Sequence, residues 1–179
     1  PLKNASVSGT LTQSTSTSSQ QETRVTVPAD YSKELTATKG EYLISFTPQI
    51  SNHPKAEVAD NTLLYRDIQP STDIILQALN YGLKENIILK DKNSPKEYKW
   101  QVNISPNLEV KQSGQKLGFF IKGSSSNPKI TVDSWTKEKI FEIQAPFMVD
   151  EKDNRTNKVT RTSKKGKLTL TPDPEGIKK

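Results

Sequence analysis

Asp67, Asp73 and Glu85 are three carboxylates within one stretch, residues 63–90, LLYRDIQPSTDIILQALNYGLKENIILK. Two carboxyl groups held across a cleft, roughly 5–9.5 Å apart, are what acid–base cleavage of a glycosidic bond requires. Sequence spacing carries no such separation, and a structural role is the expectation for this trio. Asp67 and Asp73 bracket Pro70, where their side chains can fix the bend through bonds to backbone NH groups. Glu85 alternates with Leu83, Ile87 and Leu89, while Lys84, Asn86 and Lys90 fall on the opposite side. A carboxylate on an otherwise apolar face needs a partner: Arg66, a lysine, a Tyr or Trp donor, or backbone NH groups.

Other chemistry has thinner support. There is no cysteine, which excludes disulfides, thiol catalysis and Cys-ligated zinc. The single histidine, His53, precedes Pro54 in a Ser-Asn-His-Pro turn and reads as a surface loop residue rather than a triad base. Asp150, Asp153 and Asn154 offer hard oxygen donors suited to calcium, but the DxDxDG spacing and its turn glycine are missing. A polar turn without metal is therefore expected there, and no cofactor anywhere. Trp135 lies among polar neighbours in DSWTK and is the candidate ring for stacking on a sugar, whereas Trp100 belongs to an apolar alternation. A Lys–Asn crosslink promoted by an acid is not expected at Lys84-Glu85-Asn86, because alternation puts Glu85 on the other face.

The elements that would position these residues are strands. Val25/Val27, Tyr42/Ile44/Phe46, Tyr98/Trp100/Val102/Ile104, Leu117/Phe119/Ile121 and Leu168/Leu170 all alternate with period two. Turn signals recur every 8–12 residues or so, the pattern of an antiparallel β-sandwich or barrel. TDIILQALN, residues 72–80, could be a short helix capped by Thr72 or Asp73, but its Ile74-Ile75 pair favours a strand. Asn80-Tyr81-Gly82 then reads as a three-residue hairpin loop with Gly82 in the left-handed position. The expected core contains Tyr98, Trp100, Val102, Ile87, Leu89, Phe119 and Ile143.

The 179 residues thus divide into a Ser/Thr/Gln-rich linker or edge segment (1–23), a β-sandwich-like domain (24–174) and a basic tail (175–179). Hydrophobic content is 31%, and no 18-residue apolar run is present to span a membrane. The +6 net charge is carried by 22 Lys and 4 Arg. Nucleic-acid readers favour Arg for bidentate contacts, so no nucleic-acid partner is expected. Dispersed Lys suits a solvated surface that tolerates an anionic wall polymer. The chain begins at Pro1, as expected for a piece of something longer.

Residues 63–90, with Tyr98-Lys99-Trp100-Gln101-Val102, Ile143-Gln144-Ala145-Pro146-Phe147-Met148-Val149-Asp150 and Leu168-Thr-Leu-Thr-Pro172-Asp173, resemble a β domain in the N-terminal region of secreted bacterial YD-repeat (Rhs-type) and wall-associated proteins. Leu76 stands where an aromatic is common, no glycine follows Asn154, and the stretch near 113–123 is looser. The resemblance implies a secreted, cell-wall location and a non-catalytic spacer or presenting role within a polymorphic-toxin delivery protein. Its partners would be other domains of the same long chain. The alternative is a carbohydrate- or cell-wall-polymer-binding module.

Overall fold

In the computed structural model the described residues are 7–11, 23–80, 82–123, 139–149, 155–156, 159–164 and 166–172. All regular structure among them is β, and each sheet contains antiparallel strand pairs. Residues 72–80 form a strand and its turn, not a helix. The sequence draws one β domain over 24–174; by its packing the chain divides into two compact units, Pro1–Pro95 with Trp100–Asn103, and Lys96–Lys99 with Ile104–Lys179.

The first unit holds two sheets. One sets β1 (Val7–Leu11), β2 (Thr23–Val27), β3 (Leu35–Lys39), β4 (Tyr42–Pro48) and the Trp100–Asn103 part of β9 (Tyr98–Ile104) side by side in that order. The polar N-terminal segment thus contributes an outer strand, β1. The other is a meander of β5 (Ala56–Ala59), β6 (Thr62–Gln69), β7 (Thr72–Leu79) and β8 (Gly82–Leu89). Tyr65, Ile74 and Ile87 stand opposite one another across β6, β7 and β8, as do Leu63, Leu76 and Glu85. Paired residues share a face, so Glu85 belongs to the side that buries Leu63, Tyr65, Ile74 and Leu76. Val25, Val27, Ala37, Ile44 and Trp100 supply the core from the first sheet.

In the second unit β10 (Leu108–Ser113), β11 (Lys116–Ile121) and β12 (Lys139–Ile143) form one sheet. β13 (Met148–Val149) pairs with β14 (Arg155–Thr156), and β15 (Val159–Lys164) makes a hairpin with β16 (Lys167–Pro172). Tyr98, Leu108, Leu117, Phe119, Phe120, Phe141, Val159 and Leu168 are buried in it among the described residues. Phe119 and Phe141 meet edge to face, with ring centroids 6.5 Å apart.

Two sequence expectations need correction. Leu79 pairs with Gly82, so the β7–β8 turn has two residues, and Gly82 opens β8 without a left-handed φ. Tyr98, Trp100 and Phe119 are buried, whereas Val102, Ile87, Leu89 and Ile143 are only half-buried. Ile87 and Leu89 lie on β8, the outermost strand of its sheet, where no further strand covers the rim side of each side chain.

Candidate functional site

The densest polar chemistry among the described residues surrounds the connection between β2 and β3, residues 28–34. Asp30 forms an isolated antiparallel bridge with Lys55. Two backbone bonds flank it, Tyr31 N–H to Pro54 O at 3.0 Å and Ala56 N–H to Ala29 O at 2.8 Å. The connection is thereby sewn to the segment entering β5, and Tyr31 is turned inward to 4% exposure. Its ring lies 5.0 Å from that of Tyr65, whose hydroxyl donates to Pro28 O at 2.6 Å.

Tyr31 is the hub. Its hydroxyl donates to Glu85 Oε1 at 2.7 Å and accepts from Trp100 Nε1–H at 3.4 Å. Burial, then the Glu85 carboxylate, hold the Tyr31 phenol well above its ordinary pKa. The phenol therefore stays a protonated donor at any ordinary pH. Glu85 faces the side that the alternation indicates, but the residue as a whole is exposed. A carboxylate on an outer strand can accept from a buried donor without being buried as a whole, which avoids the cost of full burial.

Beside this hub lies a cluster that has the residue types of a hydrolytic triad but not its wiring. Asp30 Oδ1 accepts from the Ser32 hydroxyl at 2.7 Å and from Ser32 N–H at 3.0 Å, and Lys55 Nζ lies 2.8 Å from Oδ2. Burial works to raise the Asp30 pKa, but the Lys55 and Ser32 bonds outweigh it and lower the value to about 2. His53 Nδ1 sits 2.8 Å from Ser32 Oγ and 3.6 Å from Asp30 Oδ2. In a triad, one ring nitrogen takes the serine proton while the other is held by the acid. Here serine and acid address the same nitrogen, and the serine proton already points at Asp30. The arrangement locks a turn and does not prime a nucleophile.

The bend around Pro70 is built by the two expected carboxylates, with one difference in detail. Asp67 has a left-handed φ of 49° at a register shift between Tyr65 and Gln69. That turns its N–H onto Asp73 Oδ1 at 2.8 Å. The Asp67 side chain, in contrast, takes Lys90 rather than a backbone group: Lys90 Nζ lies 2.8 Å from Asp67 Oδ1 and 2.6 Å from Asp73 Oδ1. Asp73 is buried, which alone would raise its pKa; Lys90 and the Asp67 amide prevail and lower it. Lys84 is exposed on the face of β8 opposite Glu85. Arg66 pairs with Glu57 and not with Glu85.

No three of the acidic and histidine side chains come together as a metal-holding group among the described residues. Trp135 and the calcium candidates Asp150, Asp153 and Asn154 lie outside the described residues. Trp100, buried and bonded to Tyr31, offers no stacking face. Sequence reasoning missed Tyr31, Asp30, Ser32, Lys55 and Lys90. The Asp-x-Ser spacing of 30–32 was a usable signal for the side-chain-capped turn. Nothing local marked Tyr31 for burial, since its partners lie 54 and 69 residues away.

No family model, curated protein or solved structure matches the chain. The likeness to YD-repeat proteins therefore rests on the quoted residues alone.

Proposed function

We propose that the chain is a non-catalytic structural module that spaces or presents other domains of a longer secreted, cell-wall-associated protein of the YD-repeat (Rhs) type. The observation that carries the non-catalytic part is the Tyr31 hub. The polar groups best placed for chemistry are engaged in holding one strand or turn to another: Tyr31 to Glu85 and Trp100, Asp30 to Ser32 and Lys55, and Asp73 to the Asp67 amide and Lys90. A module of this kind needs continuous β structure with its bends pinned by side-chain bonds, and in the first unit the β2–β3 connection and the Pro70 bend are pinned in this way. The extracellular, toxin-delivery setting rests on the ordered motifs from residue 63 to residue 173.

Incubating the purified chain with peptidoglycan and with neutral and acidic glycans, and following release of reducing ends, tests the reading. No turnover is expected. Turnover abolished by Asp73→Asn or Glu85→Gln in a variant that stays folded would overturn it.

A further inference from the structure

The β15–β16 hairpin turns two different chemistries to its two sides. Towards the interior of its unit go Val159, Leu168 and Pro172, with Arg161, whose Nη1 donates to the backbone oxygens of Gln115 and Gln144 at 2.9 and 2.6 Å. The other side is set by the register Thr160 opposite Thr171, Thr162 opposite Thr169 and Lys164 opposite Lys167. Thr160, Thr162, Lys164 and Lys167 are exposed, and Thr169 and Thr171 half-exposed. The result is a ladder of hydroxyls, about 4.8 Å from strand to strand, ending in two ammonium groups.

The two lysines are an unfavourable choice for the fold alone. Like charges directly opposite on neighbouring strands destabilise the pair, and Lys164 and Lys167 flank the turn as immediate cross-strand partners. Elsewhere in this unit Lys99, Lys111 and Lys139 sit against Glu97, Glu109 and Glu142. Neither Lys164 nor Lys167 has an ion-pair partner among the described residues. The sequence around them adds to the field: no acidic residue occurs between Asp153 and Asp173, while six Lys and Arg do.

We propose that this face of the hairpin binds an anionic polysaccharide, whose charged groups lie between Lys164 and Lys167 and whose hydroxyls run along the threonines. An anion between the two ammonium groups relieves their repulsion, and hydroxyl ladders match sugar hydroxyls as both donors and acceptors. The face carries no aromatic side chain for base stacking and no exposed Arg for bidentate base contacts, which disfavours nucleic acid. It carries no large apolar side chain to enter a bilayer, which disfavours a membrane surface. The inference holds whether or not the chain is a spacer of a YD-repeat protein.

The test titrates the full chain against fluorescently labelled dextran sulfate oligosaccharide at two salt concentrations. Three double variants are compared: Lys164→Gln/Lys167→Gln, Thr162→Val/Thr169→Val, and Lys33→Gln/Lys92→Gln, whose exposed lysines lie in the other unit. The lysine hairpin variant should bind about tenfold more weakly at low salt and show a shallower salt dependence, because fewer counterions are exchanged. The threonine variant should weaken binding with the salt dependence unchanged, and the distant variant should leave affinity within about twofold. Lys164→Glu alone should raise the thermal midpoint while abolishing binding, which separates loss of the site from loss of the fold. Equal losses in both lysine variants would reduce the effect to net charge and overturn the proposal. So would tighter binding to oligothymidylate or to vesicles of anionic lipid, or no binding to the labelled polysaccharide.

Discussion

Tyr31 does three jobs with one side chain: its ring packs on Tyr65, its proton goes to Glu85 and its oxygen receives the Trp100 indole. Tyr31→Phe keeps the ring and strands the indole N–H in a buried place, so a loss of about 1–3 kcal/mol is expected in a urea titration. Glu85→Gln keeps an acceptor and should lose less than Glu85→Ala, while Lys84→Ala on the far face should change stability by less than about 0.5 kcal/mol. Equal, negligible losses at Tyr31 and Glu85 would show that water replaces the bond freely. Asp30 gives a pH signature. Its folded pKa is depressed to about 2 from 3.8, so its stabilising contribution is present above about pH 4 and is lost as pH falls towards 2. Asp30→Asn should therefore lower stability at neutral pH and flatten the acid arm of the stability–pH curve. Asp73, lowered in the same direction by Lys90 and the Asp67 amide, leaves a residual slope in that variant. An unchanged acid arm in Asp30→Asn would mean that other carboxylates govern acid unfolding.

At the level of elements, alternation told most of the story, because a half-buried strand repeats every two residues whatever its partners are. The Tyr98/Trp100 and Leu117/Phe119 runs became β9 and β11, and the β7–β8 hairpin lies where Asn80-Tyr81-Gly82 marks it. What alternation cannot set is the length of a turn, since that depends on which pair of flanking residues closes the ladder. Gly82 shows the consequence. A methyl group added there meets nothing within 4 Å, and its φ is not left-handed. Gly82→Ala should thus be neutral or stabilise by about 0.4–1 kcal/mol through the unfolded chain. Gly114→Ala, in the β10–β11 turn with φ +54°, should instead cost about 1–2 kcal/mol for the left-handed backbone. Thermal midpoints of the two variants separate these cases, and a loss at Gly82 as large as at Gly114 would restore the three-residue turn. The polar clusters were legible only in part. Asp67 and Asp73 announced themselves by flanking Pro70, but Lys90 joins them from the far end of β8 through register, which sequence does not display.

Across the whole molecule, two compact units share one chain and each carries its own aromatic centre, Trp100 with Tyr31 and Tyr65 in one, Phe119 with Phe141 in the other. The chain has two tryptophans, Trp100 and Trp135, so Trp135→Phe leaves Trp100 as the sole indole and a reporter of the first unit. Its emission should stay blue-shifted and poorly quenched by acrylamide, as expected for an indole that is 7% exposed. In that background Leu76→Ala removes a side chain that is 1% exposed in the first unit and should lower the stability read by Trp100 by about 2–5 kcal/mol. Phe119→Ala empties an equally buried place in the second unit and should cost about 3–5 kcal/mol where that unit is read, for instance by amide exchange in β11. Because independent units need not unfold together, the Phe119 variant should shift the Trp100 transition by much less than the Leu76 variant does. Equal shifts of the Trp100 signal in both variants would show that the strand they share, β9, welds the two units into one cooperative body.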